Sequence, residues 1–368
     1  MKIAQIAPLA ESIPPKLYGG TERVVSWLTE ALVRQGHEVT LFGSGDSVTS
    51  AELVPVTPQA LRLDPTVKDA LGYHIMLIEQ VRRRAHEFDV LHFHIDLIHA
   101  PFVRSLGVPA VTTLHGRLDL PDLVPFYRSF PDLPLVSISD NQRLPMPPVN
   151  WVATVPHGLP RDLLRATFAP KGDYLAFLGR ISPEKRPDRA IEIAARAGIK
   201  LRIAAKIDDA DRDYWEEVIA PLVARHGDIV EFIGEIGDRQ KAEFLGNARA
   251  LLFPIDWPEP FGLVMIEAMA CGTPIIAFGC GSVPEVIDHG RSGFIVSRLD
   301  EAVDALARLD ELPRAQVRAC FEQRFTDERM ARDYVALYRR LIDATFAQAG
   351  NVVRLHDHEA VAEARIIA

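Results

Sequence analysis

Short apolar, β-rich runs alternate with longer amphipathic stretches along this chain, and that alternation confines it to parallel sheets covered by helices on both faces. In the first half the strand candidates are KIAQIAP, HEVTLFG, DVLHFH, AVTTLHG, LVSIS and VATVPHG. In the second half they are YLAFLGR, KLRIAAKI, VEFIGE, ARALLFPI, TPIIAF and GFIV. TERVVSWLTEALVRQG, DRAIEIAARAG and RQKAEFLGNA, between them, carry a helical period. At 368 residues the chain is too long for one ordinary core and comfortable for two. The expected class is α/β, with two doubly wound parallel-sheet domains at 1–165 and 166–328 joined by a linker at 159–171. An amphipathic helix at 329–348 and a charged, loosely held tail at 349–368 follow.

Composition removes several classes of function. The chain is 48% hydrophobic and 25% charged, and it has no run of about 18 apolar residues such as a bilayer span needs. MKIAQIAP reads as a strand and falls short of a signal peptide's apolar region. Cys271, Cys280 and Cys320 are odd in number and lack zinc-like spacing, which fits a reducing cytoplasm. Forty-one basic against fifty acidic residues give a net charge of −9, which disfavours nucleic acid as a partner. The local run Arg82, Arg83, Arg84 leaves room for peripheral contact with an anionic membrane at its inner face.

One stretch raises a sharper question. DWPEPFGLVMIEAMACGTPIIAF, residues 256–278, places Glu259 and Glu267 eight positions apart in an otherwise apolar context. A buried carboxylate needs a cation, or a cavity where something polar arrives. The strand ARALLFPI ends before this stretch, so the loop leaves a carboxyl edge, where doubly wound sheets bind ligands. A helix starting at Pro260 would aim the free N–H groups of Phe261, Gly262 and Leu263 at the cleft, as an anion site. Eight residues of helix span roughly 12 Å, enough for Glu259 to meet a sugar and Glu267 a ribose with a diphosphate between them. The plainer alternative is a favourable first-turn acid and a paired structural charge.

Other carboxyl edges carry candidates of their own. Arg180 and Lys185 follow YLAFLG, where two cations suit two phosphates, although a surface loop also carries such charges for solubility. Gly19 and Gly20, before a helix expected to be capped by Thr21, permit close approach of backbone to a phosphate; a plain turn is the alternative. They do not form G-x-G-x-x-G, so a nicotinamide enzyme has little support. His115 ends TTLHG at a further edge, as a site residue or a structural histidine.

GRISPEKRPDRAIEIA, followed by PEPFGLVMIEAMACGTPIIAFGCGSVPEVIDHGRSGFIV, resembles the retaining glycosyltransferases of family 4. KLYGGTE, TLHG and SISDNQR add to the resemblance in the first half. The likeness implies the GT-B fold, two Rossmann-like domains facing across a cleft, with the acceptor on the first and the donor on the second. It implies transfer of a hexose from a nucleoside-diphosphate sugar, such as UDP-glucose or GDP-mannose, to a hydroxyl of a glycan, lipid-linked or small-molecule acceptor. No cofactor and no metal are implied. Residue by residue, it assigns the donor sugar to Glu259 and the ribose to Glu267, the diphosphate to Arg180 and Lys185, Gly19 and Gly20 beside it, and His115 near the transferred sugar. The chain departs from many relatives at Arg186 and Ala205, where glycine is frequent, and at His157, where asparagine is. A sugar-nucleotide epimerase and a non-catalytic nucleotide-sugar-binding module use the same grip and stand as alternatives.

Overall fold

The structure is a computed structural model that describes residues 1–16 and 19–366. Leu17 and Tyr18 of the KLYGG motif, and the last two residues of the expected tail, lie outside the described residues. A first sheet comprises β1 (Lys2–Ile6), β2 (Glu38–Ser44), β3 (Glu52–Thr57), β4 (Val90–Phe93), β5 (Ala110–Thr113), β6 (Leu135–Ser137) and β7 (Trp151–Thr154), in the order β3-β2-β1-β4-β5-β6-β7. A second comprises β8 (Tyr174–Arg180), β9 (Lys200–Lys206), β10 (Val230–Gly234), β11 (Ala250–Phe253), β12 (Ile275–Phe278) and β13 (Gly293–Val296), in the order β10-β9-β8-β11-β12-β13. The pairings in both are parallel. Both sheets are doubly wound, as the alternation of elements predicts. Central strands such as β11 and β12 are buried at every position, which is why they read as unbroken apolar runs.

Strand β3, ELVPVT, is absent from the sequence-based expectation. It lies at the sheet edge, half exposed and with Pro55 inside it, and an edge is where a strand tolerates a residue lacking an N–H. Its pattern was therefore too weak to read.

Four helices bear on the site: α1 (Gly20–Arg34), α2 (Asp238–Asn247), α3 (Leu263–Ala270) and α4 (Asp327–Ile366). Helix α1 buries Val24, Val25, Leu28 and Leu32 against the first sheet. Helix α4 returns to the first half of the chain, where Tyr334 bonds Thr113 and Tyr338 bonds Gln5, both tyrosines fully buried. The stretch expected as a loose tail instead continues α4 to Ile366. The two chain crossings between the sheets lie side by side: the Leu159 N–H donates to Phe325 O at 3.0 Å, and the Asp327 N–H to Leu159 O at 3.0 Å.

The arginine triplet is laced to acids. Glu79 accepts from Arg82 and Arg83, and Arg84 pairs with Glu52 and Glu87, so this face carries less net charge than its sequence suggests. Among the described residues no helix is long and apolar enough to cross a membrane.

Candidate functional site

In each sheet the strand order reverses at one crevice, between β1 and β4 in the first and between β8 and β11 in the second. A doubly wound sheet offers its ligand site outside the carboxyl ends of strands at such a point. The loops from these edges enclose a cavity of about 510 Å³. Gly19, Gly20, His115, Arg180, Lys185, Glu259, Phe261, Gly262, Leu263 and Glu267 all line it, so the structure brings together the candidate donor-site residues named from the sequence.

Two helix N-termini open into this cavity, with starts that differ from expectation. Helix α1 is flanked by Gly19, not capped by Thr21; Gly19 sits at φ 154° and ψ 91°, and no side chain caps the helix. A Cβ on Gly19 would lie 2.8 Å from the Glu22 carboxylate and 2.9 Å from Pro15, so the chain can turn into α1 here only as glycine. Helix α3 begins at Leu263, not at Pro260, with Gly262 left-handed at φ 80° as its N-cap. The delay has a tertiary cause. Ser139 Oγ, just after β6, donates to Pro260 O at 2.7 Å, and Ser282 Oγ donates to Phe261 O at 2.9 Å, which occupies both carbonyls from outside the segment. The Phe261 ring turns inward, 2% exposed, against His157 and Phe325. Glu259 to Gly262 are not helical, so the 12 Å helical estimate does not describe the separation of the two glutamates.

Glu259 is 8% exposed, and its Oε2 accepts from Lys185 Nζ and, at 3.2 Å, from Trp257 Nε1. The Lys185 ammonium also lies 4.8 Å from the Trp257 ring centre. Arg180 is the last residue of β8 rather than part of the following loop; it bonds Glu184 at 2.6 Å and faces Asp208 and Asp211 at 3.7 and 3.5 Å. Glu267, 5% exposed, accepts from Lys241 Nζ at 2.7 Å. It is thus both a paired charge and a cavity residue. Lys241 on α2 also faces Asp238, which pairs with Arg23 of α1 across the cleft.

His115 Nε2 lies 2.9 Å from His94 Nδ1, and its ring stacks on His157 at 5.2 Å between centres. Burial pushes the His115 pKa down to about 3, and burial holds His94 and His157 well below the ordinary histidine value. At neutral pH these rings are uncharged, so His115 is available as a hydrogen-bonding group rather than as a cation. The Nδ1 atoms of His115 and His157 are enclosed and bond to no group among the described residues.

Sequence reasoning missed Lys241, Trp257 and His94. Trp257 stands two residues before Glu259, and that adjacency to a candidate acid was a readable signal. His94 at a strand end was another, but Lys241, in the amphipathic stretch RQKAEFLGNA, stood beside no motif and carried none. Arg186, noted as a departure, takes φ 53°, the left-handed region that glycine accepts freely, and its guanidinium bonds Asp188 and Asp256. Arg186→Gly is therefore expected to change stability by less than about 1 kcal/mol, backbone relief offsetting the lost pairing. Paired urea melts test this.

Comparison with known proteins supplies the remaining information. The family model for glycosyl transferases group 1 matches residues 164–321, and that for glycosyltransferase family 4 matches residues 18–142. A D-inositol 3-phosphate glycosyltransferase of Streptomyces scabiei is 35% identical over 158 residues, 40% of this chain; in that match the chain spans only 33% of the relative's own length. A protein of the same name from Mycolicibacterium smegmatis is 26% identical over 374 aligned positions, 83% of this chain and 82% of that one. Among solved structures, AviGT4, a glycosyltransferase involved in avilamycin A biosynthesis, superposes with a TM-score of 0.69 at 25% identity, covering 93% of this chain and 98% of that one. Sucrose-phosphate synthase from Thermosynechococcus elongatus has a TM-score of 0.74 at 19% identity, covering 93% and 99%, a likeness of fold. One family model on each sheet, two switch points facing one cavity and full-length structural neighbours converge: the chain belongs to the family 4, group 1 glycosyltransferases and has the GT-B fold.

Proposed function

We propose that this protein transfers a hexose from a nucleoside-diphosphate sugar to a hydroxyl acceptor with retention of configuration and without a metal ion. The observation that carries the proposal is the meeting of two cations, two carboxylates and two helix N-termini in one cavity. Departure of the diphosphate builds negative charge on its oxygens and leaves the anomeric carbon cation-like. Arg180, Lys185 and the N–H groups at the start of α3 stabilise that charge more in the transition state than before it. Helix α1 adds a second positive dipole end at Gly19 and Gly20. Glu259 holds the sugar hydroxyls and Glu267 the ribose. The acceptor attacks the face that the leaving group vacates, its proton passing to a departing phosphate oxygen, which accounts for retention without a protein nucleophile. The same cations take the place that a divalent ion fills elsewhere.

The experiment is a thermal-shift panel of nucleoside diphosphates and their sugars, followed by transfer assays with the donor found. A ligand at about a hundred times its dissociation constant adds roughly 2.7 kcal/mol of stability. D-Inositol 3-phosphate, named for two relatives, is the first acceptor to try. Product anomeric configuration by NMR tests retention, and transfer that survives EDTA tests metal independence. Conversion of donor to an epimer without any acceptor would point to an epimerase, and binding with neither reaction to a binding module.

The two glutamates separate in their effects. Glu259→Gln is expected to leave binding of the free nucleoside diphosphate nearly unchanged while turnover drops. Glu267→Gln weakens the nucleotide itself about ten- to a hundredfold, the range for a lost charged hydrogen bond. It also lowers the melting temperature, because Lys241 loses its nearest carboxylate. Calorimetric titration of the folded variants decides; unaltered nucleotide affinity in Glu267→Gln would leave that residue a purely structural charge.

A further inference from the structure

Three loops meet behind the start of α3, and only one of them belongs to the donor site as described. SISDNQR leaves β6 in the first half of the chain, while PEPFGL leads into α3 and GCGSVPEV follows β12 in the second. Ser139 Oγ, in a residue 2% exposed, donates to Pro260 O at 2.7 Å and accepts from the Gln142 N–H at 3.1 Å. A carbonyl only accepts, so the hydroxyl proton has one direction. The Glu285 carboxylate accepts from the N–H groups of Asp140 and Asn141, both at 2.7 Å, and ties the same turn to the second half. Ser282, fully buried, donates its N–H to Glu259 O and its hydroxyl to Phe261 O, both at 2.9 Å. A Cβ on Gly281 would lie 2.2 Å from Glu259 N, so only glycine lets these two backbones pack.

These bonds bear on which N–H groups of α3 stay open. In a helix begun at Pro260, the Pro260 carbonyl would accept from the Val264 N–H, four residues on. Here a hydroxyl from the first half bonds that carbonyl instead, and the N–H groups of Gly262, Leu263 and Val264 make no bond among the described residues. All three residues line the cavity. Unpaired amides at a helix start are donors to an anion. Without Ser139 the buried Pro260 carbonyl would need another donor, and the Val264 N–H is the one that the helix supplies.

We infer that Ser139, Ser282 and Glu285 are positioning residues that fix the loop before α3 so that its first N–H groups stay open to the diphosphate, and that Ser139 makes this grip depend on the first half of the chain. None of the three lines the cavity, so they act through the loop. The inference rests on the proposed function for its ligand, whereas the state of the loop does not depend on it.

Hydrogen exchange without any ligand is the first measurement. In Ser139→Ala the vacated Pro260 carbonyl is expected to take the Val264 N–H, which then exchanges at least about tenfold more slowly than in the unaltered protein. Titration with UDP and GDP, each against its own nucleoside, is the second. Ser139→Ala is expected to bind the diphosphate about tenfold more weakly, the effect of one lost bond to a charged group, with nucleoside affinity unchanged. Glu285→Gln, at the half-buried end of the contact, shifts the diphosphate in the same direction by a smaller factor and serves if Ser139→Ala does not fold. An unchanged Val264 exchange rate in Ser139→Ala overturns the inference. So does a diphosphate affinity that, in the folded variants, is unchanged or falls no further than that of the nucleoside. If exchange slows as expected but the unaltered protein binds neither UDP nor GDP, the proposed function fails, and the role at the diphosphate with it.

Discussion

Lys185→Ala is expected to lower turnover by two or more orders of magnitude while the protein remains folded, and Arg180→Ala to do the same. Lys185 stands at the cavity with its ammonium against the Glu259 carboxylate and over Trp257, and Arg180 ends the central strand β8 among Glu184, Asp208 and Asp211. These carboxylates hold both cations in place before substrate arrives, so little reorganisation is needed when a diphosphate enters. Removal of one preorganised donor to a developing oxyanion costs about 3 to 4 kcal/mol of transition-state stabilisation, roughly a hundred- to a thousandfold in kcat. Lys185→Ala leaves the buried Glu259 with the Trp257 N–H alone, so some loss of melting temperature accompanies the kinetic defect. Lys185→Gln retains a donor to Glu259 and separates the two effects: its stability is expected to recover while its turnover does not. Near-normal kcat at saturating donor in both alanine variants would remove the assignment of this cavity to the diphosphate.

The second large effect is on stability against pH. Burial lowers the pKa values of His92, His94, His99, His115 and His157, to about 3 for His99 and His115, from an ordinary value of 6.5. Above pH 6.5 these histidines are neutral whether the chain is folded or not, and their titration is silent. Below it the unfolded chain takes up protons that the folded protein refuses, so stability falls as pH falls. Each such histidine contributes a slope of about 1.4 kcal/mol per pH unit. Five together make the decline on the order of 7 kcal/mol per unit near pH 5. Asp327, raised to about 6, and Glu22, also raised by burial, work in the opposite direction. With a stability of about 5 to 15 kcal/mol, common for folded domains, cooperative unfolding is expected near pH 5, before most carboxylates titrate. Urea melts from pH 8 to 5 measure it. A midpoint that stays flat across that range would mean that the histidines charge without unfolding the protein.

Much of the architecture was legible because its causes are local. Apolar runs as short as ALLF and IIAF, separated by amphipathic stretches of helical length, admit few solutions other than strands buried on both faces. The carboxyl edge of each strand then follows from chain direction. That is how the sequence places Arg180, Lys185, His115 and the two glutamates at the carboxyl edges of two sheets. The edge strand ELVPVT escaped because its proline and half-exposed pattern satisfy only an edge, and an edge is a property of the sheet rather than of six residues.

The sequence by itself determined the two doubly wound sheets, their order of elements and the candidate residues at their edges, since these rest on side-chain period and on neighbours a few positions away. Only the tertiary structure decided where α3 begins, because Ser139 and Ser282 hold Pro260 and Phe261 from outside the segment. It alone joined Glu267 to Lys241, and it alone ran a hydrogen-bond chain from Tyr338 through Gln5 to His115. A buried polar group must find its partner in space. The chain brings those partners together from separations as large as 333 residues, a distance over which no local pattern carries information.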